Sequence, residues 1–353
     1  MPSSSIIQSA LETLLTGGHL PSMTMERVME AVMGGDASPA QIAGVMIALR
    51  IKGETPTEIA AAARVMRRLA THVKVTKGPL VDTCGTGGDG ARLFNVSTAS
   101  ALVVSAAGAY VAKHGNRSVS SSSGSADVLE AAQVNLNLTA DQVGRCVDEV
   151  GIGFLFAPRH HGAMRHAIEP RRDLGVRTLF NLLGPLTNPA DALRQVLGVY
   201  DARWVQPMAQ VLRELGSEHV LVVHGEDGLD EISLAAPTLV AELQGGAIHR
   251  YTVTPEELGV ARQALAPLQV DDTAASLALL RAALAGEPGP ARDIVALNAG
   301  AAIYVAGLAE DLRTGVARAQ EIMASGAAQA RLAELVAWTN QDHPRAPAAG
   351  AAP

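Results

Sequence analysis

A chain of 353 residues is too long for one small core, which indicates two domains or one large domain with an appendage. The formal net charge of −7 argues against a broad surface for nucleic acid or anionic membrane, and the apolar windows are too short to span a bilayer. Two cysteines, Cys84 and Cys146, have neither a metal-binding spacing nor the pattern of a disulfide framework. The first residues lack the pattern of a signal peptide. We therefore expect a soluble enzyme of the cytoplasm.

The first 70 residues have the periodicity of helices alone. Residues 38–41 (Ser-Pro-Ala-Gln) and 55–58 (Thr-Pro-Thr-Glu) are capping boxes with proline at the first helical position. An apolar stripe follows each box, formed by Ile42, Val45, Met46 and Leu49 in the first case and by Ile59, Ala63, Val65 and Met66 in the second. The pattern predicts amphipathic helices, with no strand among them, in an N-terminal helical domain over residues 1–75.

Beyond residue 79, short apolar runs alternate with helical patterns. The runs that predict strands are residues 80–83, 109–112, 153–156, 196–199 and 219–223. This alternation is typical of an α/β fold, and it predicts a larger domain over residues 76–340 with a central, largely parallel sheet flanked by helices. We expect hinges to join it to the small all-helical domain.

Three patterns predict the structure of the remaining segments. Capping boxes at 139–142 and 254–257 each predict a helix, and the Ala-, Leu- and Glu-rich region over 291–338 predicts several. The Pro- and Ala-rich tail, residues 344–353, is expected to be disordered.

The first of three donor-rich blocks follows the first predicted strand. Residues 85–90 read Gly-Thr-Gly-Gly-Asp-Gly, and glycines at such a place let the backbone approach a diphosphate closely. The letters also match the dinucleotide fingerprint. However, the next helix is expected to start near Ser97 rather than at the glycines, and Lys113 ends the second strand where a dinucleotide site has an acidic residue. A Rossmann dehydrogenase is therefore disfavoured.

The other two blocks offer hydroxyl, amide and cationic groups. Residues 95–98 (Asn-Val-Ser-Thr) open a predicted helix, and simple capping of that helix is the alternative to ligand binding. Residues 113–117 (Lys-His-Gly-Asn-Arg) lie at the carboxyl end of a predicted strand, where open α/β sheets bind ligands, although a solvated charged loop has the same composition. The serine run over 118–123 favours a mobile loop that covers phosphates, with a flexible linker as the alternative.

Two basic segments follow further along the chain. His160 and His161 resemble a metal motif, but adjacent histidines point apart in most backbones and no third ligand has a suitable spacing. Arg171 offers a planar fork that can bind a carboxylate with two hydrogen bonds. The alternative for Arg171 is a salt bridge to Glu169 or Asp173.

An acidic segment follows the last predicted strand. Residues 224–231 read His-Gly-Glu-Asp-Gly-Leu-Asp-Glu and therefore carry four carboxylates. Hard oxygen ligands in a loop suit Mg²⁺ shared with substrate phosphates, although a solvated acidic turn has the same pattern. Together with the donor-rich blocks, which need a carrier of positive charge for a diphosphate, the segment favours Mg²⁺.

The blocks together resemble anthranilate phosphoribosyltransferase. The resemblance rests on residues 82–89 (DTCGTGGD), 95–99 (NVSTA), 113–121 (KHGNRSVSS), 124–130 (GSADVLE), 151–158 (GIGFLFAP), 171–189 (RRDLGVRTLFNLLGPLTNP) and 228–231 (GLDE). It extends from the N-terminal helices to about residue 338. It implies transfer of a phosphoribosyl group from phosphoribosyl pyrophosphate (PRPP) to the amine of anthranilate, with two Mg²⁺ ions per subunit. It also implies a homodimer through the helical domain, which takes up helices from about 165–190.

The resemblance implies a set of site residues, matched motif by motif. Contacts with PRPP are expected from Gly85, Gly88, Asp89, Asn95, Val96, Ser97, Thr98, Lys113, His114, Gly115, Asn116, Arg117, Ser118, Val119, Ser120, Ser121 and Ser125. Contacts with anthranilate are expected from Gly85, His114, Asn116 and Arg171. Contacts with Mg²⁺, direct or through water, are expected from Ser97, Asp230 and Glu231.

Three positions depart from the family's pattern. Leu93 stands where a threonine or serine near PRPP is common, and Arg159 and Gly162 flank the histidine pair where alanine and proline are commoner. Two other functions share the architecture. A pyrimidine nucleoside phosphorylase is expected to have a Lys-His-Ser phosphate loop, which is absent here, and a nucleic-acid-binding relative without catalysis would need a basic surface.

Overall fold

The computed structural model describes residues 3–117 and 123–341, and it opens with helices. These are α1 (Ser3–Leu15), α2 (Ser22–Gly34), α3 (Pro39–Lys52) and α4 (Pro56–Leu69). Both predicted capping boxes are formed, because Ser38 and Thr55 each accept from the backbone N–H three residues on and receive the reciprocal bond. The two apolar stripes are buried, which confirms the predicted amphipathic helices. No strand interrupts residues 3–70.

A single mixed sheet forms the centre of the larger domain. Its strands are β1 (Leu80–Gly85), β2 (Tyr110–Gly115), β3 (Ile152–Phe156), β4 (Arg194–Gly198), β5 (His219–Gly225), β6 (Thr238–Gln244) and β7 (Ala247–Val253). Their order is β3-β2-β1-β4-β5-β6-β7, with parallel pairing from β3 to β5 and antiparallel pairing beyond. The five predicted strands are β1 to β5, so the largely parallel sheet is confirmed.

The chain folds differently from the prediction after β5. Strands β6 and β7 form a hairpin around Gly245 and Gly246, which have φ of 56° and 81° and so fit a tight two-residue turn. The capping box at 254–257 does form, with Thr254 and Glu257 bonded reciprocally, but the predicted helix is wrong. The segment is one turn long, because Gly259 with φ of 82° reverses the chain at once.

Eleven further α-helices follow the N-terminal four in the described residues. They are α5 (Val96–Ala106), α6 (Ser125–Ala131), α7 (Ala140–Val150), α8 (Ala157–His160), α9 (Arg165–Leu174), α10 (Leu179–Leu183), α11 (Val205–Glu214), α12 (Thr273–Leu284), α13 (Pro290–Val305), α14 (Leu312–Ala324) and α15 (Ala327–Thr339). Helices α5, α7, α11 and α13 pack on the sheet, whereas α9 and α10 pack on the N-terminal helices. Helices α13 to α15 confirm the predicted helical region over 291–338. Within the described residues, no helix is both long and apolar enough to cross a bilayer.

Alternate side chains of β5 point into two apolar cores. Leu221 and Val223 pack with α5, α7 and α12 to α15, whereas Val220 and Val222 pack with α11 and the N-terminal helices. The second core also takes in Ala167 of α9 and most of α10. The N-terminal helices therefore bury their apolar faces against one face of the sheet and against α9 and α10, which lie about a hundred residues further along the chain. The domain limits, residues 1–75 and 76–340, stay a prediction, and the tail over 344–353 lies outside the described residues.

A buried ion pair ties α3 to α4. Lys52 Nζ lies 2.8 Å from Glu58 Oε2, and the two side chains are 3% and 0% exposed. Glu58 also accepts from the backbone N–H groups of Leu20 and Thr55. Burial alone would raise the pKa of Glu58, but these hydrogen bonds, that from Lys52 first among them, lower it on balance. The carboxylate is therefore charged and fully bonded in the folded helical domain.

We expect Glu58→Gln to lower the free energy of unfolding by roughly 3–5 kcal/mol at pH 7, because it leaves the Lys52 ammonium buried without its counter-charge. Denaturant unfolding measures the loss. The folded-state pKa of Glu58 lies below its unfolded value, so its contribution is present above that unfolded pKa and is lost as pH falls through the folded one. The gap between wild type and variant should therefore narrow toward pH 3; a gap that stays constant contradicts this account.

Candidate active site

The carboxyl ends of four strands meet at one edge of the sheet. Gly85, Gly115, Gly198 and Gly225 end β1, β2, β4 and β5. The strand order reverses at β1, because β2 pairs on one side of it and β4 on the other. Open α/β sheets bind ligands in the crevice at such a switch point. The three donor-rich blocks and the acidic segment all follow these strand ends.

The glycine-rich loop is held over the switch point. Gly87, Gly88 and Gly90 have φ of 65°, 76° and 78°, a region that glycine adopts without strain. The Thr86 N–H donates to Gly198 O at 2.9 Å, and the Gly87 N–H donates to Asp230 Oδ2 at 2.7 Å. The loop thereby joins β1 to β4 and to the acidic segment. Helix α5 begins at residue 96, well after the glycines, which confirms that the loop is not a Rossmann turn.

Helix α5 presents its N-terminus to the same edge. Its N-cap residue Asn95 makes no side-chain cap, so the capping alternative for this block is not formed. Instead the Asn95 amide accepts from Ser276 Oγ at 2.7 Å and donates to Ser123 O at 3.2 Å. The buried Thr98 hydroxyl has no partner within the described residues. A helix N-terminus without a side-chain cap and with an unpaired hydroxyl suits a phosphate oxygen.

Lys113 lies between the donor loops and the acidic pair. Its side chain is buried, and Nζ donates to Thr83 O at 2.5 Å and to Ser97 Oγ at 3.3 Å. Burial lowers the pKa of Lys113, while the Asp82 carboxylate opposes that shift. Asp82 is itself buried and accepts from Asn188 Nδ2 at 2.8 Å, and burial raises its pKa. The Lys113 ammonium on β2 is therefore fixed in place by Thr83 and Asp82 of β1 and by Ser97 of α5.

The acidic pair occupies space that two glycines leave free. A Cβ on Gly198 would lie 1.6 Å from Asp230 O, and a Cβ on Gly85 would lie 2.5 Å from Asp230 Oδ2. Burial and the Asp89 charge raise the pKa of Asp230 to about 7. Burial and Asp230 raise the pKa of Glu231 well above its usual range, which Lys113 opposes. Three carboxylates that repel one another favour a bound cation.

This donor set fits Mg²⁺ that is shared with a substrate. Within the described ranges, no group of three His, Cys, Asp or Glu side chains could hold a metal by itself. Mg²⁺ typically binds through one or two carboxylates, water and substrate phosphates rather than in an all-protein cage. Of the four carboxylates in the segment, Asp227 accepts instead from Ser233 Oγ at 2.5 Å and Glu226 is exposed, so Asp230 and Glu231 are the two beside the site.

Two buried histidines meet beside the site. His114 Nε2 lies 3.2 Å from His161 Nε2, and His114 Nδ1 lies 3.2 Å from Gly184 O. Burial lowers the pKa of His114 well below its usual value and that of His161 to about 4. His160 points elsewhere, to Thr71 O at 2.9 Å. The side chains of the adjacent His160 and His161 therefore point apart, as the sequence analysis expects.

Arg171 is half-buried on α9 and faces an aromatic ring. Its Cζ lies 5.5 Å from the centre of the Phe180 ring. Neither alternative partner forms an ion pair with it among the described residues, since Asp173 pairs with Arg172 at 3.6 Å. Burial lowers the pKa of Arg171. A partly desolvated guanidinium without a carboxylate partner is available to an anionic ligand.

The remaining predicted contacts with PRPP differ in where their side chains lie. Gly115 must be glycine, because a Cβ there would lie 2.3 Å from Ser125 Oγ. The Asn116 carbonyl accepts from Ser125 Oγ at 3.3 Å, so these residues lie together. Arg117 is turned toward α6, where Asp127 and Glu130 form ion pairs with its exposed guanidinium. The solvated-loop alternative thus fits Arg117, and Val96, the first residue of α5, is buried. Ser118, Val119, Ser120 and Ser121 lie outside the described residues.

Known proteins match this chain along most of its length. A model described as the glycosyl transferase family, a/b domain, matches residues 77–329, and the helical bundle domain of that family matches residues 8–70. A protein of Thioalkalivibrio sulfidiphilus named anthranilate phosphoribosyltransferase is 59% identical and aligns with 94% of this chain and 98% of its own. One of the same name from Methylococcus capsulatus is 59% identical over 95% of this chain and 98% of its own. The chain belongs to the anthranilate phosphoribosyltransferase family.

Solved structures of that family agree with the fold. The crystal structure of the Thermus thermophilus anthranilate phosphoribosyltransferase has a TM-score of 0.89 and 48% identity, covering 94% of this chain and 99% of its own. The Saccharomyces cerevisiae anthranilate phosphoribosyltransferase, in complex with PRPP and Mg, has a TM-score of 0.85 and 25% identity, covering 95% and 98%. The small helical domain and the larger α/β domain are therefore the architecture of the family, as the sequence predicts.

The structure shows the surroundings of the three residues that depart from the anthranilate phosphoribosyltransferase pattern. Leu93 forms an isolated bridge with Gln269, beside the loop that follows the glycines. Arg159 Nε donates to Leu138 O at 3.2 Å, so this guanidinium has a partner away from the histidine contact. Gly162 opens a short 3-10 turn before α9.

Arg177 contacts the glycine-rich loop, which the sequence reasoning does not predict. Its guanidinium stacks 4.1 Å from the centre of the Tyr200 ring and donates to Gly88 O. A Cβ on Gly88 would lie 2.9 Å from Arg177 Nη2. Arg177 lies within a block that carries the resemblance, but its contact with a loop 89 positions earlier is not readable from the local pattern.

Proposed function

We propose that this chain transfers the 5-phosphoribosyl group of PRPP to the amine of anthranilate, giving N-(5-phosphoribosyl)anthranilate and pyrophosphate in the biosynthesis of tryptophan. One observation carries the proposal: the glycine-rich loop, the N-terminus of α5 and the acidic pair converge at the switch point of the sheet. The family membership of the chain and the names of its relatives support the same reaction.

The reaction breaks the bond between the anomeric carbon and the pyrophosphate oxygen and forms a bond from that carbon to the anthranilate nitrogen. The ribose gains positive charge as the pyrophosphate leaves, so donors aimed at the diphosphate stabilise the transition state. Backbone N–H groups of the glycine-rich loop and of α5, together with Lys113, supply those donors. Mg²⁺, two ions per subunit in our proposal, would be held by Ser97, Asp230 and Glu231 and would neutralise the leaving diphosphate.

The remaining residues hold the nucleophile. Arg171 binds the anthranilate carboxylate, and Asn116, His114 and Gly85 border the ring and its amine. The aromatic amine is neutral at pH 7, so correct placement matters more than a strong base. The lowered pKa values of His114 and His161 keep both imidazoles neutral at that pH, so they add no fixed charge beside the amine.

The direct test is the loss of anthranilate fluorescence when PRPP and Mg²⁺ are added to the purified protein. We expect loss only when both are present, with release of one pyrophosphate per anthranilate consumed. Unchanged fluorescence with a folded protein contradicts the proposal. The phosphorylase alternative predicts instead that phosphate cleaves a pyrimidine nucleoside to ribose 1-phosphate and the free base. An absorbance assay for release of the base measures that reaction, and we expect no such turnover.

We further propose a homodimer through the N-terminal helices. Leu15, Met23 and Ile51, on α1, α2 and α3, are 78%, 78% and 82% exposed, and large apolar side chains on one small domain favour a partner surface. Light scattering should report about twice 36.5 kDa at micromolar concentration. A monomer mass there refutes the dimer. Both cysteines are free, which supports our placing the enzyme in the reducing cytoplasm.

A further inference from the structure

Asn298 is a polar residue in the middle of an apolar helix. It lies on α13, is 3% exposed, and has fully buried neighbours such as Leu297 and Ala299. Asparagine is a weak helix former, and a buried amide is costly unless all of its hydrogen bonds are made. The position therefore needs a reason other than the stability of α13.

The side-chain amide of Asn298 makes hydrogen bonds with both main-chain groups of one loop residue. Its Oδ1 accepts from the Ile232 N–H at 2.8 Å, and its Nδ2 donates to Ile232 O at 3.0 Å. Nδ2 also donates to Ile294 O, one turn back on α13, at 3.0 Å. These bonds to both backbone groups of Ile232 fix the course of the chain there much as a strand partner would.

Ile232 directly follows the acidic pair. The two bonds between the Asn298 amide and Ile232, called the clamp below, therefore set where the two carboxylates lie. A small cavity is lined by Asn298 and Glu231 together with Ser97, Ser100 and Thr83. The hydrogen bonds of the Asn298 amide all join main-chain groups of Ile232 and Ile294, so Asn298 acts on the acidic pair through the backbone. Against the larger effect of burial, the backbone of Ser97 at the start of α5 lowers the pKa of Glu231, and Gly198 makes room for Asp230.

We propose that Asn298 is a positioning residue for the acidic pair: it holds Asp230 and Glu231 in the geometry that binds magnesium pyrophosphate before any ligand arrives. The inference rests on the function proposed above. Residues that orient metal-binding side chains typically change metal affinity by roughly 10–100-fold when they are replaced, without touching the metal.

The test compares Asn298→Ser with Asn135→Ser. Serine at 298 can still bond the carbonyl one turn back but is too short to reach Ile232. Asn135 is the matched control, because its amide donates to Thr339 O, far along the chain from the acidic pair. We expect calorimetry with Mg²⁺ and pyrophosphate to show a dissociation constant raised roughly tenfold or more for Asn298→Ser and unchanged for Asn135→Ser. The KM for PRPP should rise with it, and that for anthranilate should stay within about twofold.

Wild-type affinity in Asn298→Ser overturns the inference, as does an equal loss in the control, which would indicate general loosening. A wild-type protein that neither binds magnesium pyrophosphate nor consumes anthranilate overturns the proposed function itself. If Asn298→Ser fails to fold, hydrogen exchange of the wild type decides: we expect the Ile232 amide to exchange as slowly as those of β5 without any ligand. Fast exchange at Ile232 before ligand is added overturns the clamp.

Discussion

Replacing Arg171 with alanine should raise the KM for anthranilate by roughly 30-fold or more and leave the KM for PRPP unchanged. Loss of one partner of a charged, hydrogen-bonded pair costs about 2–5 kcal/mol, and the planar guanidinium is the group that can grip a carboxylate with two parallel bonds. Arg171 is half-buried against Phe180, and Asp173 is engaged by Arg172. PRPP is expected on the α/β side, on groups that Arg171 does not contact. Steady-state kinetics with each substrate varied measures the split.

Arg172 supplies the matched control for that variant. It is the next residue, it is exposed, and its ion pair with Asp173 is of the surface kind that contributes little. We expect Arg172→Ala to behave as wild type in both KM values. Arg171→Lys should restore only part of the affinity, because a point charge lacks the fork. An unchanged anthranilate KM in a stable Arg171→Ala protein removes Arg171 from the site, and an equal rise for both substrates indicates a structural role instead.

The parts of the fold that local chemistry determines were predictable. The four residues of a capping box such as 55–58 indicate where a helix begins, and short continuous apolar runs such as 219–223 indicate where a buried strand lies. The β6–β7 hairpin was predictable as well, because the Gly245-Gly246 pair lies between two apolar runs, but the sequence analysis above does not predict it. The box at 254–257 misled because a cap marks only a beginning, and Gly259 ended the segment after one turn.

The candidate site divides in the same way. Glycines at strand ends are readable, because Gly85 and Gly198 are needed wherever another chain segment passes this close. The contacts that join distant segments are not, and they include the bond from Arg177 to Gly88 and the clamp from Asn298 to Ile232. Each depends on how the whole sheet and its helices pack, which no window of sequence contains.

The burial of individual charged side chains also could not be predicted from the sequence. Lys113 was expected in the site from its motif, but its burial between Thr83 and Ser97 could not be anticipated from a block that also contains the exposed Arg117. Similarly, four carboxylates in the acidic segment look equivalent in the sequence. The family resemblance implies Asp230 and Glu231, and the packing of Asp230 over Gly198 shows why this pair differs from the two carboxylates that face solvent or the loop itself.

Because Asp230 and Glu231 lie beside the site, replacing both should cause the largest loss of activity. We expect Asp230→Ala with Glu231→Ala to abolish magnesium-dependent turnover, a loss on the order of a hundredfold or more, because these are the two carboxylates of the acidic segment placed to hold the ion with the diphosphate. Assays across a range of Mg²⁺ concentrations measure the loss, and calorimetry with Mg²⁺ and pyrophosphate checks it without turnover.

The fold should survive this double replacement. Burial and mutual repulsion raise the pKa values of Asp230 and Glu231 in the folded protein without metal, so each carboxyl group costs stability at neutral pH, and alanine removes that cost. The melting temperature without metal should therefore be at least that of the wild type. Glu226→Ala, in the same loop but exposed, is the control and should keep wild-type activity. Full activity of the double variant in the presence of EDTA rules out a metal role for the pair, whereas loss of activity together with a lowered melting temperature assigns the carboxylates to the fold rather than to the ion.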